Sequence, residues 1–208
     1  MERVLVVPTE LILAHLGPAP GGFHPGRERA LMATVAEHGR FEDRPAAELN
    51  VALKQIIPYG MILCRDEILL LRRLRGGGET RLHEKTSIGV GGHVNPPDAE
   101  PPGARSADSA GGGGLDLAVA RAFERELHEE LTLETEYSSE PVGVLNDDSN
   151  PVGRVHVGIV YKVTLKEPKA RVREAESLAG SFVTQSELSR YRSSLETWSG
   201  FLQEHYWP

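Results

Sequence analysis

Apolar and polar positions alternate most cleanly over residues 154–165, where Val155, Val157, Ile159, Tyr161 and Val163 fall on every second place. Successive side chains of a strand point to opposite faces, so this stretch reads as a strand with one face in a core. Residues 55–64 and 67–74 are two more apolar runs, and Arg65-Asp66 between them predicts a β-hairpin. Residues 87–94, 135–145 and 181–184 predict further strands, and Val4 to Val7 opens the chain with another. Elsewhere the period changes. Leu117, Ala120, Phe123, Leu127 and Leu131 recur at three- and four-residue spacing, the buried stripe of a helix. Asp116 helps that helix start, and the glycines at 111–114 stop it from extending backward. Residues 28–38, 185–191 and 195–206 predict other helices, and residues 40–48 a charged connector or short helix. A sheet with a few helices is an α+β fold, and the chain shows no internal repeat.

The polar face of the 117–131 helix carries Arg125-Glu126-Leu127-His128-Glu129-Glu130. Glu126, Glu129 and Glu130 stand at i, i+3 and i+4 and project from one face. Like charges at that spacing destabilise a helix by roughly 0.2–0.5 kcal/mol per pair. A cation among them would offset the cost, and hard divalent ions take oxygen ligands of this kind and also bind substrate phosphates. Arg125 lies beside the acidic face and can pair with Glu129.

Upstream, Ser87-Ile88-Gly89-Val90-Gly91-Gly92-His93-Val94-Asn95 is an apolar stretch with a glycine pair that lets backbone approach a ligand closely. A glycine pair followed by a helix reading R-E-apolar-x-E-E resembles the signature of the Nudix hydrolases. Gly92 takes the place of the signature Gly, while Arg125, Glu126, Leu127, Glu129, Glu130 and Leu133 match its second half. The resemblance covers residues 54–206 in the order of elements and is motif-strong over 91–133. Its implied fold is an α/β/α sandwich with a mixed sheet between helices. The expected organisation is an N-terminal extension over 1–50, a catalytic domain over 51–208, and a flexible insertion at 96–114.

That insertion is one of two departures from the signature. Asp98 stands where the family has Glu, with five residues between it and Gly92. A run of Pro, Gly, Ala and Ser then separates it from Arg125, a composition that suits a solvated loop. Loop lengthening costs entropy only slowly, so the helix can still dock. The other departure is Thr132 in place of the last signature Gly. A β-branched residue disfavours a left-handed helix end, so a different helix exit is expected.

The resemblance implies that Glu126, Glu129 and Glu130 hold Mg2+, or alternatively Mn2+, helped by the backbone carbonyl of Gly92. It implies a nucleoside diphosphate linked to another group as substrate. Glu126 or a late-loop Glu takes the proton of the attacking water, and Arg125 orients the carboxylates. Glu174, Glu176 and Asp98 are candidate accessory acids. Arg72, Arg73, Arg81 and Lys85 form a local basic excess ahead of the glycine strand and are candidates for gripping phosphate. The run Asn146-Asp147-Asp148-Ser149-Asn150-Pro151 reads first as turn chemistry and second as a site wall.

Charge and composition narrow the partners. Net charge is −7, which disfavours a nucleic-acid polymer. No stretch is long enough to span a membrane, and the default compartment is the cytoplasm. A homodimer is an open alternative. His93 is the histidine nearest the proposed site; His83, His128 and His156 show no metal-ligand spacing, so zinc is disfavoured. Two other readings remain: a nucleotide sensor on the same fold that does not cleave, and a prenyl diphosphate isomerase. The isomerase would want a reactive cysteine, and Cys64, the single cysteine, sits in an apolar run.

Overall fold

The computed structural model describes residues 1–17, 21–74, 85–100, 114–173, 175–176 and 178–208. Its organising element is β4 (Leu53–Cys64), a long strand buried on both faces. Along one edge it runs parallel to β10 (His156–Leu165), with Gln55 opposite His156 and Leu63 opposite Thr164. Three strands in succession tile the other edge: β1 (Arg3–Pro8) at Leu53 to Gln55, β7 (Gly89–Gly91) at Tyr59 to Met61, and β5 (Glu67–Arg73) at Leu63 and Cys64. Pro58 has no N–H to give and falls between the β1 and β7 pairings, where a strand tolerates it. The predicted hairpin is there, with Arg65 in the left-handed region at φ 57°.

The remaining strands extend both sides. β12 (Leu178–Thr184) lies against β5, β9 (Tyr137–Asn146) against β10, and β2 (Gly22–Pro25) against β9. The predicted strand at 87–94 resolves into β6 (Thr86–Ser87), which pairs with β5, and β7. β3 (Arg40–Asp43) pairs with β1 and leads into α3 (Arg44–Ala47), so the charged connector is half strand and half helix. The first fifty residues thus add their strands to the same sheet. They also supply α1 (Thr9–Leu16) and α2 (Glu28–His38), the latter at its predicted bounds.

Helices cover both faces of this mixed sheet. α4 (Pro96–Ala99) and α5 (Leu115–Glu130) lie at one face. Phe123 of α5 stacks on Tyr161 at 4.0 Å with planes 7° apart. A β-carbon at Gly60 would strike the Phe123 ring, so glycine there lets helix and sheet approach. The buried stripe of α5 is Ala118, Val119, Ala122, Phe123 and Leu127; Leu117 is 50 % exposed, so the expected stripe is offset at its start. α5 passes directly into β8 (Leu131–Leu133), with Leu131 extended at φ −123°, and Thr132 pairs with Arg171 of β11 (Ala170–Val172). On the opposite face, α6 (Gln185–Leu188) and α7 (Thr197–Tyr206) pack through Leu188, Trp198 and Leu202 against Tyr59, Leu145 and Val160. Among the described residues no helix is long and apolar enough to cross a membrane.

Candidate active site

The glycine strand and the acidic helix meet at Gly92. A β-carbon there would collide with the carboxylate of Glu126, so only a bare backbone lets strand and carboxylate touch. Glu126 is only 16 % exposed along its side chain, and that burial raises its pKa, while the neighbouring Arg125 guanidinium pulls it back.

Arg125 is the hub of the site. Its Nε and Nη2 donate to the two oxygens of Asp98 at 2.9 and 3.0 Å. Nη1 donates to Glu126 at 2.8 Å and Glu129 at 3.2 Å, and Nη2 also donates to the carbonyl of His93 at 2.9 Å. These partners hold the guanidinium charged more firmly than usual, the pairing with Asp98 contributing most. Asp98 is buried, and it also accepts the amide of Asn95 at 2.8 Å, which starts α4. The start of the expected flexible insertion is therefore ordered structure. Arg121 adds a second tie, donating to the carbonyls of Asp98 and Glu100 at 3.3 and 3.1 Å.

The other candidates are placed less centrally. Glu129 is 59 % exposed along its side chain, and Glu130 ends the helix half-buried. The three helix carboxylates share a face without converging: the three-group cluster that forms among the described residues is a different one, Glu48, His93 and His156. Arg72 and Lys85 are exposed at the β5–β6 pair. Glu176 is exposed in the turn before β12. The Arg73 side chain, Arg81 and Glu174 lie outside the described residues.

Sequence reasoning missed several residues. A cavity of ≈ 290 Å³ opens on the α7 face beside Gly91, walled by Tyr59, Trp198, Asp147, Asn150 and His156. The 146–151 run does both things its composition allowed. Asp147 accepts the amide of Ser149 and Asn150 that of Gly153, each at 2.9 Å, and both side chains also line the cavity. Lys54, fully buried, pins this turn through Asp148 at 2.8 Å and the carbonyls of Gly153 and His156 at 2.9 and 3.2 Å. Burial lowers its pKa, and Asp148 opposes that. The Tyr59 hydroxyl donates to Glu196 at 2.6 Å under the cavity. Burial pushes His93 down to about 4 and lowers His156 as well.

A hard divalent cation fits the Gly92–Glu126 contact. The donors there are oxygens, one of them a carboxylate sheltered by burial and reached by bare backbone. Glu126 and the Gly92 carbonyl would hold such an ion, with Glu129 and Glu130 on the same helix face.

Comparison with known proteins accords with this geometry. Protein YmaB of Bacillus subtilis (strain 168) is 35 % identical over 208 residues, covering 97 % of this chain and 95 % of its own. The crystal structure of Tm1382, provisionally assigned as a Nudix hydrolase, superposes with a TM-score of 0.78 at 26 % identity, covering 98 % of this chain and 97 % of that one. No family model matches the chain.

Proposed function

Because the chain belongs to the Nudix superfamily, we propose that it is a metal-dependent hydrolase cleaving the pyrophosphate bond of a nucleoside diphosphate joined to another group. The observation that carries this reading is the packing of Gly92 backbone on the Glu126 carboxylate, with Arg125 and Asp98 locking both in place.

A bound Mg2+ or Mn2+ would offset the diphosphate charge and acidify a water for attack on phosphorus. Glu126 is suited to take that water's proton, since burial raises its pKa and so strengthens it as a base. Arg125 fixes Glu126 and Glu129 relative to the His93 carbonyl and hence to the glycine strand. Arg72 and Lys85, exposed at the β5–β6 pair, are suited to meet substrate phosphates.

The isomerase reading loses support, because Cys64 is fully buried in the core. The test is incubation with Mg2+ and a panel of nucleoside diphosphate derivatives, beside a Glu129→Gln, Glu130→Gln double variant. Metal-dependent cleavage of one compound, lost in the variant, supports the hydrolase. No turnover by either protein, with nucleotide binding retained in both, supports the sensor.

A further inference from the structure

Three side chains distant in sequence converge on the other side of the glycine strand from Glu126. Glu48 follows α3, His93 follows Gly92, and His156 opens β10; one ligand-capable atom of each lies within 4.8 Å of the other two. A β-carbon at Gly92 would meet Glu126, whereas the next residue, His93, reaches the neighbourhood of His156. There it meets His156, ring centroid to ring centroid at 5.6 Å.

More than proximity is involved. Nε2 of His93 is buried and has no hydrogen-bond partner among the described residues. Buried polar atoms are almost always satisfied, so an orphan on a ring that stands beside two other ligand groups needs an account. His156 is anchored as metal-binding histidines are: Nδ1 lies 2.7 Å from the carbonyl of Val152. Nδ1 must carry the proton to donate to that carbonyl, which leaves the lone pair on Nε2. Two imidazoles and one carboxylate suit zinc and its first-row neighbours, whereas Mg2+ prefers oxygen alone.

We infer that Glu48, His93 and His156 form a second metal site, taking a zinc-class divalent cation with three protein ligands. The fourth position falls to water or a ligand, and His156 also borders the cavity beside Tyr59 and Trp198. Besides the buried ammonium of Lys54, Arg44 is a nearby positive charge. It is shared between Glu2 at 2.9 Å and a longer 3.4 Å pairing with Glu48, so metal binding would exchange only the weaker of its partners. The occupied site would fasten β10 and the end of α3 to the strand that presents Gly92.

Cobalt substitution of the protein tests this. Co2+ bound by nitrogen and oxygen in a four-coordinate site gives visible absorption bands that an all-oxygen octahedral site gives only faintly. The expected result is one equivalent of Co2+ bound with strong bands, displaced by Zn2+, indifferent to excess Mg2+, and retained in Glu126→Gln. Glu48→Gln and His93→Gln should each weaken binding by at least about tenfold, with circular dichroism confirming that both variants fold. Glu48 is partly exposed, so its variant keeps the test decisive if His93→Gln does not fold. Absence of strong bands, unchanged affinity in every folded ligand variant, or loss of binding in Glu126→Gln alone would overturn the assignment. The outcome is independent of whether the protein hydrolyses any substrate.

Discussion

Arg125 grips Asp98 through two hydrogen bonds of 2.9 and 3.0 Å although 27 positions separate them in the chain. This pairing closes the base of the insertion and returns the acidic helix to the glycine strand. Asp98 is buried and Arg125 only partly exposed, so Asp98→Ala leaves a guanidinium short of its main partner. A loss of about 2 kcal/mol in unfolding free energy is expected, allowing for solvent screening. Urea denaturation would measure it, and a loss below about 0.5 kcal/mol would mean that the pairing does not hold the insertion closed.

Gly92→Ala separates the site from the fold. The new β-carbon strikes the Glu126 carboxylate, the far end of a flexible side chain, and displaces it from its place beside Arg125. Stability should change by less than about 1 kcal/mol. The displaced carboxylate should lower kcat/KM by about 100-fold, since a misplacement of about 1 Å is enough for that. A large stability loss with unaltered activity per folded molecule would reverse this account.

Lys54→Met removes the buried ammonium that holds the 147–156 turn. Asp148 loses its ion partner but keeps the Asn146 amide at 3.1 Å and is partly exposed, so destabilisation of about 2–3 kcal/mol is expected. Hydrogen exchange should quicken across residues 147–156 more than elsewhere. Uniform quickening would show that Lys54 supports the whole sheet instead.

Acid sensitivity should be traceable to His93. An unfolded imidazole takes up its proton near 6.5, whereas burial holds the folded group down to about 4. Between those values the unfolded chain binds more protons, so stability is full above about 6.5 and falls as pH drops towards 4. The contribution of this one group is on the order of 2–3 kcal/mol, and His156 shifts in the same direction. Denaturation series at pH 7 and pH 4.5 would show the slope. It should flatten in His93→Gln, and an unaltered slope there would assign the acid sensitivity to other groups.

Local chemistry made much of the fold legible. The Arg65-Asp66 turn and the 28–38 helix depend on neighbours in sequence and form as expected; the alternation ending at Val163 also forms a strand, but it starts at His156, after Val155 in a 3-10 turn, and is buried on both faces. The acidic helix was equally legible from its charged face. Its apolar face was less so, because small residues, Ala118 and Ala122, carry the packing that Leu117 and Ala120 were expected to carry. The start of the insertion misled by composition. Prolines and glycines suggest solvated loop, yet Asp98 finds Arg125 and orders α4. Least legible was the convergence of Glu48, His93 and His156, which depends on the parallel register of β10 on β4 and on which way His93 turns after two glycines. No spacing in one dimension encodes that.

The most direct measurement is the initial rate of nucleoside diphosphate-derivative cleavage by the wild-type protein and Glu126→Gln, each across a Mg2+ titration. The account predicts a rate that rises with Mg2+ and saturates in the wild type, and a loss of at least about 1000-fold in the variant at every Mg2+ concentration. Equal rates in the two proteins, or turnover that ignores the metal, would contradict it.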